Sequence, residues 1–262
     1  MGKGGIENRV EQIKTDSKPF YAGLRVGGAY DSRVGSSSGG GDDDGDCALA
    51  LTLSAGWQAP LEGDVGFRFD YGGYADFHDK FDEYDVIDQS FSVEPQWTKD
   101  QITVSMPIIF NYALEDGDTN YNRYTISPTV TYLIPQTSQA VAVYGIGSRI
   151  DDRDDDKILD EDGKTYGGGC AYLYFFQNKS RIRLSVDFQH THYDAWVVDY
   201  GTDSVSTNDR KDDSLVAGVD IQFQLNEFFG IYTNYSFIHS NSNVDLYEYD
   251  RNIVEAGIAF KY

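Results

Sequence analysis

The chain contains no run of about 18 apolar residues, so no helix of it can cross a bilayer. Cations are scarce: 21 Lys and Arg stand against 43 Asp and Glu, a net charge of −22 that would repel the phosphates of a nucleic acid. Only 2 Cys and 6 Pro occur in 262 residues, so this is neither a disulfide-stapled scaffold nor a proline-rich linker. The opening Met1-Gly-Lys-Gly-Gly lacks the apolar stretch of a secretory signal, so an exported chain is expected to have lost one upstream. What is abundant is aromatic and small: 20 Tyr, 15 Phe, 3 Trp and 27 Gly, a composition of many strands joined by tight turns.

The last eleven residues, Asn252 to Tyr262, alternate. Val254, Ala256, Ile258, Phe260 and Tyr262 share one face of a strand, and Glu255, Gly257, Ala259 and Lys261 share the other. Twelve such runs start near Phe20, Ala48, Val65, Ile87, Ile102, Tyr124, Ala140, Tyr166, Arg181, Leu215, Phe228 and Asn252. Their connections take turns. Ala59–Asp64, Thr98–Asp100, Pro135–Gln139, Asn178–Ser180 and Asn226–Glu227 are short. Asp31–Asp46, Ala75–Tyr84, Glu115–Asn122, Asp151–Thr165, Asp194–Ser214 and Ser240–Arg251 are long and acidic. Antiparallel neighbours joined up and down give this rhythm when one end of a barrel has tight turns and the other elaborated loops. The expected fold is all-β: a single up-and-down antiparallel transmembrane β-barrel of about 12 strands, with short periplasmic turns and long acidic extracellular loops. Residues 1–18 are expected to be a polar leader or the remnant of a periplasmic helix, since Ile6, Val10 and Ile13 fall at helical spacing, and residues 19–262 the barrel.

Aromatics test this reading. Trp57, Trp97, Phe223, Phe229, Phe260 and Tyr262 fall near the short-turn end, and Tyr30, Tyr71, Tyr112 and Tyr193 near the long-loop end. Two girdles bracketing an aliphatic belt suit a membrane barrel, because amphipathic rings settle at headgroup level. A soluble sandwich would bury its apolar face and show few outward aromatics. The runs Ala140–Arg149 and Tyr166–Phe176 are apolar or small on both faces and cannot be phased from sequence.

The strand–loop rhythm and the terminal Ala259-Phe-Lys-Tyr262 resemble bacterial outer-membrane β-barrels, including porins, over residues 20–262. Two patches, Tyr21-Ala-Gly-Leu-Arg-Val-Gly-Gly-Ala-Tyr-Asp-Ser32 and Asn241–Asn252, resemble the first strand and closing hairpin of the C-terminal barrels of surface lipoprotein assembly modifiers and exopolysaccharide exporters. The broad resemblance implies outer-membrane lipid and lipopolysaccharide as surroundings and a channel for a small solute. The narrower one implies surface export of a polymer or protein, with a periplasmic or surface protein partner. A non-conducting structural or assembly barrel, binding a partner through its acidic loops or periplasmic part, is the alternative.

On the alternation, the inward face carries Arg25, Arg68, Asp70, Glu94, Arg181, Arg183, Asp187, Asp220, Glu255 and Lys261. These form either a charged constriction that orients a solute or a salt-bridge network that plugs the lumen. Asp154, Asp156, Asp160 and Asp162 are candidate oxygen ligands for a weakly bound Ca²⁺. No other cofactor is expected. The spacing is not that of an EF-hand, so solvated acidic loops are the plainer reading. Catalysis is not expected: His239 and Ser240 are adjacent and so point to opposite faces, and Asp187 and His190 differ in parity. Cys47 and Cys170 fall on strands far apart around the barrel and are expected to be free thiols.

Overall fold

In lipid every backbone N–H and C=O must be satisfied within the protein, so a sheet that crosses a membrane has to close on itself. The computed structural model describes residues 19–34, 45–59, 64–115, 118–152, 162–193, 197–198, 205–206 and 209–262. Its strands are β1 (Phe20–Asp31), β2 (Asp46–Gln58), β3 (Val65–His78), β4 (Val86–Lys99), β5 (Ile102–Ser105), β6 (Ile108–Glu115), β7 (Asp118–Ile126), β8 (Thr129–Leu133), β9 (Gln139–Asp152), β10 (Gly163–Phe175), β11 (Arg181–Tyr193), β12 (Val197–Val198), β13 (Val205–Ser206), β14 (Arg210–Gln224), β15 (Phe229–Ser242) and β16 (Tyr249–Lys261). Strands β5 and β6 are two halves of one wall position, as are β7 and β8, and β12–β13 is a small separate hairpin. The remaining pairings are all antiparallel, and β1 pairs with β16 to close a barrel of 12 strand positions. Leu24↔Phe260, Val26↔Ile258 and Tyr30↔Val254 set the closing register.

Two strand positions are split because proline cannot donate to a ladder. Pro95, Pro107 and Pro128 lie on three successive wall positions, in neighbouring rows. The ladder passes through their carbonyls instead: Met106 N donates to Pro95 O at 3.1 Å, Ser127 N to Pro107 O at 3.0 Å and Gly145 N to Pro128 O at 2.9 Å. The wall is thus continuous where the strand assignment breaks.

The tight turns lie at one end, and three of them use a non-glycine residue at positive φ. Asp100 (φ 52°), Gln136 (φ 62°) and Lys179 (φ 64°) take the left-handed conformation. The Asn226 side chain accepts from the N–H groups of Phe228 and Phe229 at 2.9 and 3.0 Å.

At the opposite end the strands run further than the apolar alternation predicts. The expected long loop Glu115–Asn122 is instead a hairpin, with Glu115 paired to Asp118, and β15 continues to Ser242 rather than ending at Ser240. Above the membrane both faces of a strand meet water, so hydrophobic contrast disappears while the hydrogen-bond ladder continues. The polar leader or helix remnant expected over residues 1–18 lies outside the described residues.

Below the long-loop rim the outward face is predominantly apolar. Leu24, Leu53, Phe67, Phe91, Val104, Val143, Val186, Ile221, Ile231 and Ile258 are all exposed there. Of the girdle candidates, Trp57, Trp97, Phe223, Phe229, Phe260 and Tyr262 ring the short-turn end, with Phe229 and Phe260 in edge contact at 5.1 Å. Tyr30 and Tyr112 point outward toward the long-loop end. Two assignments are corrected. Tyr71 sits midway along β3 against Phe91 (5.1 Å), inside the belt rather than at its rim. Tyr193 lies on the inner face, packed on the Arg210 guanidinium at 3.7 Å, because β11 overshoots the belt and its last residue follows the inward parity.

Cys47 and Cys170 are both free and exposed on the outward face. Cys47 is the second residue of β2, at the long-loop rim, whereas Cys170 is mid-strand in β10. In reconstituted vesicles a membrane-impermeant maleimide should therefore label Cys47 and spare Cys170 until the bilayer is dissolved. Equal labelling of both would mean the belt has been drawn at the wrong height.

Candidate functional site: the barrel lumen

All ten charged residues expected on the inward face lie there, and they are grouped rather than spread. On β3 and β4, Arg68 Nη2 meets Glu94 Oε2 at 3.2 Å and Arg68 Nε donates to Asp70 Oδ2 at 2.6 Å; Arg68 and Glu94 are each only 1% exposed. On the β11-β14-β15-β16-β1 wall, Arg183, Asp220, Asn234 and Glu255 fall in one cross-strand row. Asp220 is held between Arg25 (3.7 Å) and Arg181 (3.8 Å). Tyr232 donates to Glu255 at 2.7 Å, and the Arg25 guanidinium lies 5.0 Å from the Tyr232 ring centroid. Tyr144, from β9, donates a short hydrogen bond to Asp187. Lys261 is on the inner face at the short-turn end.

Small residues make room for this network. A Cβ on Gly27 would lie 2.5 Å from the Tyr232 hydroxyl and 2.4 Å from the Ala256 carbonyl. One on Gly169 would lie 2.6 Å from Asp187 Oδ1 and 2.9 Å from the Tyr144 hydroxyl. This is why runs seven and eight resist phasing. Some of their inward positions are Ala or Gly beneath large partners and others are apolar, such as Tyr144, Leu173 and Phe175, and neither kind contrasts with a lipid-facing side chain. Parity now places Ala140, Ala142, Tyr144, Ala171, Leu173 and Phe175 inward, and Ala140, Ala171, Leu173 and Phe175 pack as an apolar cluster with Leu133 and Tyr144.

The two halves of the lumen differ. In the short-turn half many inward side chains are buried, among them Arg68, Glu94, Gln96, Thr103, Ser105, Thr129, Thr131, Leu173, Arg181 and Gln222, while Tyr21, Arg25, Gln58, Thr98, Arg183 and Lys261 stay partly exposed. Midway up, on β2 to β9, the inward positions Thr52, Ser54, Gly72, Ser90, Ser92, Thr125 and Ser148 stay partly exposed. The hydroxyls of Ser90 and Ser127 donate to the Gly72 and Gly145 carbonyls at 3.3 and 3.0 Å. A hydroxyl-lined wall therefore faces a charged wall above a packed constriction.

Sequence reading missed a further inner tier at the long-loop rim. Arg251 Nε donates to both Asp31 oxygens (3.0 and 2.8 Å). Arg210 bonds Asp212 at 3.0 Å and is sandwiched between the Tyr193 and Tyr247 rings, each 3.7 Å away. Asp46 accepts from the N–H groups of Lys80 (2.9 Å) and Phe81 (3.2 Å), tying the β3–β4 connection down over the β2 rim. By sequence pattern Asp31, Asp46, Arg210, Asp212, Tyr247 and Arg251 fall in the expected long loops. Continuing the period-2 count past the last apolar residue would have found them.

Of the candidate Ca²⁺ ligands, Asp162 precedes β10, and Asp154, Asp156 and Asp160 lie outside the described residues. His190 pairs with Asp213 (2.8 Å) and His239 with Asp250 (2.7 Å), both on the outward side near the long-loop rim. Among the described residues neither imidazole is hydrogen-bonded to a hydroxyl or thiol that could act as nucleophile, and Ser240 faces the lumen.

A closed antiparallel barrel with an apolar exterior and a polar, charged interior is the architecture of outer-membrane β-barrels. Among solved structures, the chain is similar to the COG4313 outer membrane channel from Pseudomonas putida F1, with a TM-score of 0.61 at 9% identity over 95% of this chain and 97% of that one. Weaker overlaps are found with NanC porin (TM-score 0.49, 12% identity, 90% of this chain and 98% of that one) and an anion-selective porin from Comamonas acidovorans (0.44, 10%, 93% and 98%). At these identities the likeness is one of fold, and the first structure carries it. No protein-family model matches the chain, and no curated protein matches it.

Proposed function

We propose that the protein is a narrow outer-membrane channel for a small polar solute, entered from the long-loop side and restricted in its short-turn half. The observation that carries this reading is the split lumen. A partly exposed mid-barrel wall of serines, threonines and glycines, opposed by a charged row, leads into a belt of buried ion pairs and the Leu173–Phe175 cluster. A purely structural plug has no need of a hydrated half. Twelve strands also leave more lumen than the side-chain-filled barrel of eight. The mixed charges would present both signs to a zwitterion or a hydroxylated solute, which hydrogen-bonding groups can orient as it passes.

Conductance in planar bilayers tests this. The native protein should give small, infrequent current steps. The triple variant Arg68→Ser, Glu94→Ser, Leu173→Ala, which removes the ion pair and trims the apolar cluster on the facing wall, should raise single-channel conductance several-fold. A correctly folded triple variant that passes no more current than the native protein would favour the non-conducting alternative.

A further inference from the structure

We propose that the outer wall at β9, β10, β11 and β14 holds a binding site for the phosphorylated glycolipid of the outer leaflet. Arg149, Lys164, His192 and Lys211 all point outward, and each is directly opposite the next: Arg149↔Lys164, Lys164↔His192, His192↔Lys211. Like charges directly opposed across a ladder destabilise a sheet. Arg149 and Lys164 are directly opposed cations, with Lys211 continuing the row beyond His192, an expensive arrangement and an unexpected one in a chain with 43 acidic residues and 21 Lys and Arg. Nearby carboxylates offset part of it: Asp151 meets Arg149 at 2.6 Å and Asp209 meets His192 at 3.3 Å. Among the described residues Lys164 and Lys211 have no ion-pair partner. A bound anion would resolve the remaining repulsion. With strands about 4.8 Å apart the row is about 14 Å wide, enough for more than one phosphate on a sugar headgroup.

Position and shape select a lipid over a free anion. The row lies at the long-loop ends of its strands, where outer-leaflet headgroups sit. Directly below Lys164 on the outward face is Tyr166, 61% exposed. An apolar groove of about 1100 Å³ runs from there down the outside of the wall, lined by Tyr124, Ile126, Phe110, Ile108 and Val93, and its upper end is formed by Arg149 and Lys164. Acyl chains would lie in the groove while the phosphates met the basic row, with hydrogen-bonded charge pairs giving the headgroup its orientation. The site does not depend on whether the lumen conducts.

The test is binding of defined lipids to the detergent-solubilised full chain by native mass spectrometry. The probes are bis-phosphorylated lipid A, the same lipid dephosphorylated, and phosphatidylglycerol. The native protein should retain the bis-phosphorylated form at least tenfold better than either of the others, and Lys164→Gln/Lys211→Gln should abolish that preference. Both variant side chains are exposed, and a urea midpoint no lower than the native one will show that the barrel is intact. Equal retention of dephosphorylated lipid, equal retention of phosphatidylglycerol, or an unaltered preference in the variant would each overturn the assignment.

Discussion

Replacing Arg68 alone with Met should destabilise the barrel by about 3–5 kcal/mol, because it takes the 3.2 Å guanidinium partner from the Glu94 carboxylate, 1% exposed, and leaves that buried charge less compensated. The double replacement Arg68→Met/Glu94→Leu should lose far less and could equal or exceed the native stability, since two charges no longer have to be taken out of water. Reversible urea unfolding in phospholipid bilayers, followed by fluorescence of the three tryptophans, measures both. The non-additivity is the diagnostic result. If the single variant costs under 1 kcal/mol, Glu94 reaches water and the short-turn half of the lumen is hydrated, which would also remove the constriction from the proposed channel.

Two neighbours on β4 give the second large effect. Val93→Lys places an ammonium on the exposed apolar face at mid-strand and should cost about 2–4 kcal/mol. Ser92→Lys, one residue away, places the same group in the lumen beside Asp70, whose Oδ2 already accepts from the Ser92 hydroxyl at 3.4 Å, and should cost under about 1 kcal/mol. The same unfolding measurement compares them. Similar costs at both positions would contradict the assignment of lipid and lumen faces. The pair isolates the face from the substitution, since residue type, strand and depth are nearly constant.

The strand count, the up-and-down path and the inward set of charges were legible because each rests on a period-2 contrast between lipid and water. That contrast is local: Val65, Phe67 and Phe69 against Gly66, Arg68 and Asp70 declare their faces without knowledge of any neighbour. It fails in two kinds of place. Above the belt, at Asp31, Asp46, Asp212 and Arg251, both faces are wet, so strands continue under a pattern that reads as loop. In β9 and β10 the inward residues are either small, as Gly169 is beneath Tyr144 and Asp187, or apolar, as Tyr144, Leu173 and Phe175 are, and neither kind shows which face it occupies.

By itself the sequence determined that this chain crosses a membrane as a β-barrel, and which side of most strands meets lipid, because alternation along one strand is enough to separate two solvents. Which charges pair was decided only by tertiary structure. Asp220 lies between Arg25 and Arg181, residues about 195 and 40 positions away along the chain, because closing the sheet brings β1, β11 and β14 around one lumen. The same holds for the basic row of Arg149, Lys164, His192 and Lys211, which exists only in the register between strands. Register across a ladder is set by the sheet as a whole, through turns, bulges and closure, and no single strand carries it.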